Sequence, residues 1–508
     1  MNHELRGMRH AKDDEIRPAS CVFPPVSWRA QRGVTTMLVI AFMGIFLLIM
    51  GTITSYAFQQ AKYGRALYGR EQALTIAEAG LEYYRWFLAH NPNNLTNGTG
   101  QSGPYTYTVS DPEGGELGSA ALSVAGNSQC GIIQSIDITS QGTSNTNLVF
   151  TRTLLARYMR QSVAAYSYLL NSNVWAGSDR AITGQYFSNG GIRMDGTNNS
   201  DVSSAKTTWV CNSSYGCSPT QSSAPGVVGS GSGSALWHSS AASIDFAGIA
   251  TNLANLKTYA QTGGGLYFAS STGVVDSRGY HLIFKSNGTF DVRRVTSTTG
   301  IPSYNSQTGW TTGATEYSII AGETLLGNYT IPSSCSLIFL EDRVWIEGVV
   351  KGKVTVVAAT PSDTGTTIDV YLPNNITYAA NDGTSGLTVM AERNVLIPLN
   401  VPDTMEIHGI FSAHSGRYGR NFYTNSSSYS SSQRVGSAWA SYVLRSQLTT
   451  VGTVVSNART GTSWICGSTT CSGFQTGIDA YDQLQATNPP PFTPSASTDY
   501  GFVLWREQ

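Results

Sequence analysis

One segment near the N-terminus constrains this chain more than any other, because residues 34–61 include no charged side chain. The apolar part of this segment is long enough to cross a hydrocarbon core of about 30 Å as a helix. A secretory signal peptide would have a shorter apolar stretch followed by a small-residue cleavage site. Here the pattern instead continues directly into a second helical stretch. The sequence therefore predicts a single membrane helix that is retained in the protein.

The stretch that follows, residues 62–90, stays helical in character but becomes amphipathic. Small and apolar residues recur there at three- and four-residue steps, namely Ala73, Ala77, Gly80, Leu81 and Tyr84. An unbroken helix over residues 34–90 would be about 85 Å long. The sequence Asn91-Pro92-Asn93 is expected to end this helix. A coiled-coil stalk is less consistent with the pattern, because the heptads do not persist for enough repeats.

The composition indicates a body rich in β-structure. The chain has 508 residues, enough for two or more domains, and only 12% of them are charged, with a formal net charge of -1. No basic surface is indicated, so we expect no nucleic-acid partner. Glycine supplies 53 positions, as is typical of many short strands joined by turns. The predicted fold class is α+β: a long N-terminal helix with a small antiparallel sheet, followed by a mainly-β head.

Two regions of β-structure are predicted after the helix. Short strands separated by turns over residues 104–160 form a small sheet that would cover the second half of the helix. Residues 161–508 form a larger head, whose clearest run, 336–414, has β-rich stretches suited to the stacked coils of a parallel β-solenoid. The period is irregular, so a β-sandwich is the alternative. Asn287-Gly288, between alternating segments, predicts a hairpin inserted in this head.

Six of the seven cysteines follow the apolar segment, and only Cys21 precedes it. The sequence favours disulfides if the head reaches an oxidising compartment. Cys211 and Cys217 flank one short loop, and Cys466 and Cys471 flank another. Cys130 and Cys335 are then the remaining pair, although six cysteines permit 15 connectivities. A zinc site is the rival interpretation, but neither close pair has the spacing usual in zinc modules, and no histidine lies beside them.

Familiar catalytic signatures do not occur in a credible context: there is no GxSxG elbow, Walker loop, HExxH or dinucleotide fingerprint. The chain is therefore predicted not to be an enzyme and to need no cofactor. The best enzymatic alternative is a polysaccharide-cleaving β-helix that uses Asp342, Glu347 or Asp369 as general acid and base. Charged residues usually lie on exposed faces and loops, so we favour solvated strand and turn positions for these acids.

Two further groups of side chains have a chemical and a structural interpretation. The segment MDGTNNSD offers oxygen ligands for calcium, but it lacks EF-hand spacing, so a turn is favoured and no metal site is predicted. Its four candidate ligands are Asp195, Asn198, Asn199 and Asp201. Aromatic residues that are able to stack on sugars have a core or turn role as the alternative. These residues include Trp175, Trp209, Tyr429 and Trp439.

The junction before the apolar helix has the sharpest signal. In SWRAQRGVTTMLVIAF, a basic and polar leader ends in Gly33, directly before the helix. This arrangement resembles the cleavage junction of type IV prepilins. The resemblance implies that an integral-membrane prepilin peptidase cuts after Gly33 on the cytoplasmic side and methylates the new N-terminus at Val34. A glycine gives such a peptidase close access to the backbone. The alternative is an ordinary signal anchor in which Gly33 is only a spacer.

The junction also departs from the usual pilin pattern. A typical pilin has Phe first and Glu fifth after the cut, where this chain has Val34 and Leu38. In the family, that carboxylate pairs with the amino terminus of a neighbouring subunit, and subunits without it are often minor or tip components. The RGV start and the stretch AEAGLEYYRWFL look most like PilX-type minor pilins. The blocks SNGGIRMDG, VWIEGVVKGKVTVVAA and NPPPFTP resemble large β-rich heads that follow PilX-type helices.

The resemblance implies both an organisation and a role. The leader would span 1–33, the transmembrane half-helix 34–61, the amphipathic helix with its sheet 62–160, and the exported head 161–508. A minor or tip subunit would move from the inner membrane to the cell surface, where its head serves adhesion or filament assembly. The implied partners are the peptidase, other pilins with their assembly machinery, inner-membrane lipid, and a surface glycan or protein ligand. The alternatives are a secretion-system pseudopilin and a membrane-anchored β-helix that binds or cleaves glycans.

Overall fold

The computed structural model of this protein describes residues 33–145, 150–249, 252–305, 315–363 and 368–508. The rest of the predicted leader, residues 1–32 with Cys21, lies outside the described residues. Contacts divide the chain into two compact units, Met1–Tyr68 and Gly69–Gln508. Helix α1 (Val34–His90) begins in the first unit and ends in the second. A long N-terminal helix followed by a β-rich body confirms the predicted α+β class.

The part of α1 in the first unit exposes its large apolar side chains. Met37 is 78% exposed and Leu48 is 73% exposed. A surface helix of a water-soluble protein buries such residues along one face. Large exposed apolar surfaces normally mark an interaction with lipid or protein. By length and composition, α1 is able to cross a membrane. This part of the helix therefore requires an apolar environment.

The part of α1 in the second unit has one buried face. Its buried residues are three or four positions apart: Gly69, Ala73, Ile76, Ala77, Gly80, Leu81, Tyr84, Phe87 and Leu88. Such spacing forms one stripe along a helix, and here the stripe packs on a sheet. The helix ends at His90, where the Asn91 N–H donates to the Phe87 carbonyl at 2.8 Å and Asn93 adopts a φ of 62°.

The sheet that covers this stripe is antiparallel. Four of its strands follow the helix: β1 (Tyr105–Ser110), β2 (Glu116–Gln129), β3 (Ile132–Ser144) and β4 (Thr151–Ser162). The fifth strand is the last of the chain, Ser495–Glu507, which pairs antiparallel with β4. The small sheet predicted from sequence is confirmed, and it combines residues from both sides of the predicted boundary at residue 160.

Gly80 permits the close approach of α1 to this sheet. A Cβ atom at Gly80 would lie 2.5 Å from Ser140 Oγ and 2.7 Å from Ala120 Cβ. Changing glycine to alanine inside a helix normally stabilises it by about 1 kcal/mol. In the Gly80→Ala variant we expect the opposite, a loss of about 1–2 kcal/mol, because overpacking a tight contact outweighs helix propensity.

Thermal unfolding of the detergent-solubilised protein measures this effect. The matched control is Gly64→Ala, because Gly64 lies in the same helix with no atom within 4 Å of the added Cβ. We expect a lower Tm for Gly80→Ala and an equal or higher Tm for Gly64→Ala. Equal shifts in the two variants would contradict the packing described here.

The remaining strands form the head. In chain order they are β5 (Tyr166–Leu170), β6 (Val174–Ala176), β7 (Arg180–Ile182), β8 (Gln185–Ser188), β9 (Ile192–Met194), β10 (Thr197–Asn198), β11 (Val202–Ser204), β12 (Thr208–Cys211), β13 (Gln221–Pro225), β14 (Val227–Val228), β15 (Trp237–Ser239), β16 (Leu266–Phe268), β17 (Gly279–Phe284), β18 (Thr289–Pro302), β19 (Thr315–Thr330), β20 (Leu337–Leu340), β21 (Val344–Val350), β22 (Lys353–Ala358), β23 (Val370–Tyr371), β24 (Ile376–Tyr378), β25 (Gly386–Ala391), β26 (Val395–Leu396), β27 (Thr404–Ala413), β28 (Tyr418–Gly419), β29 (Leu444–Ser456), β30 (Ser463–Cys466) and β31 (Thr469–Ala480). The last strand of the chain, β32 (Ser495–Glu507), is the fifth strand of the small sheet. Within the described residues, three short helices accompany them, α2 (Phe246–Ile249), α3 (Leu253–Thr262) and α4 (Gln483–Thr487), together with 3-10 segments of three to six residues.

Most of these strands pair in parallel. One ladder runs in the order β16-β20-β22-β25-β27-β29-β5-β8-β11-β15. A second parallel ladder includes β17, β21, β23, β26 and β28, and a third consists of β6, β9 and β14. The hairpin predicted at Asn287-Gly288 is present as the antiparallel pair β17 and β18, but β17 also belongs to the second parallel ladder, so only β18 extends beyond that ladder.

One continuous column of apolar side chains follows the first ladder. Residues in direct register along it are Leu266, Ile338, Val356, Val389, Phe411, Val454, Tyr168, Tyr186, Val202 and Trp237. Eight of them belong to the buried core, and Leu266 and Trp237 at its two ends pack against that core. Burying each such side chain contributes roughly 1.5–3 kcal/mol, so the column helps to stabilise the head.

The order of strands in this ladder differs from their order in the chain. The late strand β29 lies beside the early strand β5, with Val454 opposite Tyr168. The chain therefore enters the ladder in its middle, builds to β15, and restarts at the opposite end with β16. Between β15 and β16 the chain contains α2 and α3.

Candidate functional site

The predicted cleavage site between Gly33 and Val34 is exposed among the residues that the structure describes. Gly33 and Val34 are both exposed, and Val34 is 65% exposed. The Gly33 carbonyl accepts a hydrogen bond from the Met37 N–H at 3.2 Å, so α1 begins directly after this residue. A Cβ atom at position 33 would meet no atom of the described residues within 4 Å. The bond between Gly33 and Val34 therefore lies at the first turn of the apolar helix, free of contacts from the described residues.

Six cysteines are paired in the head and the small sheet. Cys130, in the turn between β2 and β3, is bonded to Cys335 just before β20, with a Cα–Cα distance of 4.4 Å. The other two bonds, Cys211–Cys217 and Cys466–Cys471, close short loops, each with a Cα–Cα distance of 5.7 Å. These are the three pairs that spacing and elimination favour in the sequence.

Two of the three candidate catalytic acids serve as structural acceptors. Asp342 is fully buried and accepts from the Ser271 N–H at 3.0 Å, while Arg278 lies 3.4 Å away. Asp369 accepts from Arg393 Nη2 at 2.6 Å and Asn394 Nδ2 at 2.9 Å. The expectation that these acids are solvated was wrong, because neighbouring turns of the head supply their hydrogen-bond donors. Because their carboxylate oxygens already accept these hydrogen bonds, the two acids have little capacity to bind a substrate.

The third acid, Glu347, belongs to a half-buried charge cluster. His281 lies between two carboxylates, with Nε2 3.4 Å from Glu347 and Nδ1 2.8 Å from Glu323. Burial acts to lower the pKa of His281, but the two carboxylates outweigh it and raise this pKa above its usual value. The His281 ring in turn holds the pKa of Glu347 below its usual range. A general acid needs its pKa raised towards neutrality, so the shift at Glu347 is in the wrong direction for that role.

The candidate calcium ligands are occupied by protein donors. Asp195 accepts from Trp175 Nε1 at 2.8 Å, from Arg193 Nε at 2.6 Å, and from both the N–H and the hydroxyl of Ser230 at 2.9 Å. These donors hold the pKa of Asp195 below its usual value despite burial. Asn198 accepts a hydrogen bond from Trp237 Nε1, and Asn199 accepts one from the Gly184 N–H. Asp201 contacts the ring of His238. The contacts favour the structural role for this turn.

The four candidate aromatic residues have different positions. Trp209 is buried beside the Cys211–Cys217 bond and donates through Nε1 to the Pro225 carbonyl at 2.9 Å. The rings of Tyr429 and Trp439 pack on other rings of the head. Trp175 lines a cavity of the head.

That cavity has a volume of about 400 Å³ and borders both short disulfide loops. Its exposed rim includes Ser213 and Ser214, which lie within the Cys211–Cys217 loop, and Ile465, which precedes Cys466. Its walls include three half-buried aromatic residues, Trp175, Tyr304 and Trp464. Tyr304 and Trp464 meet edge to face, with their ring centres 5.6 Å apart.

The base of the cavity is polar and buried. Asp479 there accepts from Tyr168 Oη at 2.8 Å and pairs with Arg180 at 2.8 Å, and burial raises the pKa of this carboxyl. Arg417 also lines the base and is only 1% exposed. Sequence inspection missed this site because its residues come from five distant parts of the chain; the only local signals were Trp175 and the two cysteine loops.

Comparisons with known proteins gave few matches. No family model matches the sequence. No curated protein matches it either. Among solved structures, the crystal structure of the competence-associated pilin ComZ from Thermus thermophilus is similar, with 11% sequence identity and a TM-score of 0.27. The match covers 87% of this chain and 97% of that chain.

Proposed function

We propose that this chain is a minor or tip subunit of a type IV pilus or a related filament. The observation that carries the proposal is the junction itself: an exposed Gly33 immediately precedes an apolar helix whose continuation packs on a small antiparallel sheet. A prepilin peptidase would cut after Gly33 and methylate Val34. The exposed apolar helix would then lie first in inner-membrane lipid and later among other pilins in the filament.

The apolar helix supplies no charge for an ion pair inside the filament. Leu38 occupies the position where a typical pilin has its glutamate, and its side chain is 55% exposed. An ion pair within lipid would be a strong positioning device. A subunit that lacks it must rely on van der Waals packing with its neighbours. This difference suits a subunit present in few copies rather than the repeating shaft.

We infer that the head is a parallel β-solenoid that is displayed outside the cell. The parallel ladders and the in-register apolar column support this architecture over a β-sandwich, whose sheets are antiparallel. Three disulfides suit an oxidising, extracytoplasmic compartment. A head that comprises most of residues 161–508 would crowd a regular shaft, so its place would be the tip, with adhesion as its role. The contacts of Asp342 and Asp369 favour this binding role over glycan cleavage.

Immunogold labelling of filaments tests the tip assignment. With an epitope tag on the head, we expect sparse gold particles at filament ends. Uniform decoration along the shaft would contradict the tip position. Association with a secretion platform in cells without extracellular filaments would instead identify a pseudopilin.

A further inference from the structure

One buried cation in the head, Arg417, forms no ion pair with any of the described residues. Arg417 is 1% exposed, and its Nη2 contacts the Asn421 side-chain oxygen. Its Nε has no hydrogen-bond partner among the described residues. Burial lowers the pKa of this guanidinium. A buried charge is costly unless it is paired and hydrogen-bonded, so this arrangement calls for a ligand.

The buried carboxylate of Glu316, whose charge acts on Arg417, is already used by other donors. Glu316 accepts from Asn421 Nδ2 at 2.5 Å and from Tyr423 Oη at 2.6 Å. The Asn421 amide therefore separates Glu316 from Arg417, and the two charges interact only at a distance. The side chain of Arg420 is a useful contrast, because its guanidinium donates to backbone carbonyls, including Tyr442 at 2.8 Å and Leu399 at 3.0 Å. Only Arg417 of these two lines the cavity.

The cavity around Arg417 is net positive and lined by aromatic residues. Its charged lining residues are three arginines and two aspartates, which sum to +1; they are Arg180, Arg417, Arg459, Asp179 and Asp479. Both aspartates have partners: Asp479 pairs with Arg180, and Asp179 accepts from the Ser463 hydroxyl at 2.8 Å. Arg459 is held near the rim, where it donates to the Ser214 carbonyl at 2.7 Å. The unmatched charge at the base is therefore that of Arg417.

We propose that this cavity binds a carboxylated sugar residue, with its carboxylate on Arg417 and its ring against Trp175, Tyr304 and Trp464. A guanidinium presents a planar fork that matches a carboxylate, which accounts for the anionic group. Aromatic faces accept the apolar side of a sugar ring, and the serine hydroxyls at the rim suit its hydroxyl groups. This site would give the head a specific ligand. The inference rests on the cavity alone and does not depend on filament assembly.

Calorimetric titration of the full-length protein in lipid nanodiscs tests the proposal. The probes are trigalacturonic acid, its fully methyl-esterified form, and N-acetylneuraminic acid. We expect at least one of the two acids to bind. If trigalacturonic acid binds, its affinity should be at least tenfold higher than that of its ester, because the ester lacks the charge that Arg417 recognises. N-acetylneuraminic acid is compared in the same way with its methyl ester. Failure of both acids to bind, or equal affinity for acid and ester, overturns the proposal.

Variants locate the site. Arg417→Met, which removes the charge at similar volume, is expected to abolish the preference for acid over ester. Arg293→Met is the matched control, because Arg293 is a half-buried arginine that pairs with Glu323 and does not line the cavity, and it should retain the preference. If Arg417→Met does not fold, Arg459→Gln at the rim is the second variant, and a several-fold weaker affinity for the acid is expected. Unchanged affinity in that variant, or an unchanged preference in a folded Arg417→Met, contradicts the assignment.

Discussion

Replacing both Cys130 and Cys335 by serine is expected to lower the free energy of unfolding by about 5 kcal/mol. These residues are 205 positions apart, and in the chain-entropy view a cross-link that closes so long a loop restricts the unfolded chain strongly. The bond also joins the small sheet to the head, beside the hydrogen bond from the Cys130 N–H to the Ser334 carbonyl at 2.8 Å. Its loss should therefore loosen the attachment of the head as well as lower stability.

The Cys466–Cys471 pair provides the matched control. Its partners are only 5 positions apart, so the same double substitution is expected to cost about 2 kcal/mol. Denaturant unfolding, followed by tryptophan fluorescence under oxidising conditions, compares the two variants. Equal losses in the two variants would show that loop length does not govern their stability, contrary to this account.

Placing a bulky residue at position 33 is expected to have the largest effect on function. In Gly33→Leu, the added side chain would block the close backbone approach that a peptidase needs, so we expect no detectable removal of the leader. A chain that keeps its basic, polar leader cannot release its helix from the cytoplasmic face of the membrane. The variant should therefore be absent from sheared filaments, which is measured by immunoblotting of the filament fraction.

Gly44→Leu is the control for this experiment. Gly44 lies within the same apolar helix, and a Cβ atom there would also meet no atom within 4 Å. Leucine suits an apolar segment, so this variant should be processed like the wild type. Normal leader removal in Gly33→Leu would show that Gly33 is only a spacer, and the chain would then be an ordinary signal-anchored protein.

Local patterns predicted the helix and the hairpin because neighbouring residues determine both. The charge-free run and the recurrence of Ala73, Ala77 and Leu81 specify a long helix with one buried face. The Asn287-Gly288 turn likewise determines its own hairpin. These features depend on contacts within a few positions of the chain, and such contacts can be read from the order of residues.

Long-range pairing could not be predicted in the same way. Nothing near Val454 indicates that Tyr168 will lie beside it, and nothing in the last strand indicates that Trp505 will pair with Ala156. Any exposed strand edge could accept either strand, and the choice depends on the whole head. The strand order and the partner of β32 therefore required the structure.

The candidate sites show the same distinction. The two short cysteine loops follow from spacing, whereas the Cys130–Cys335 bond could be reached only by elimination. The acids Asp342 and Asp369 looked exposed from their sequence neighbours, but their donors come from other turns of the head. Nothing in the sequence around Arg417 indicates its position at the cavity. Its burial and the lack of an ion pair with the described residues depend on residues from distant parts of the chain.

The most direct test of the central claim is the intact mass of the N-terminal peptide after co-expression with a prepilin peptidase. The account predicts a mature chain that begins at Val34 and carries one methyl group on its amino terminus. A chain that still begins with its leader, or one that is cut at another position, would contradict it.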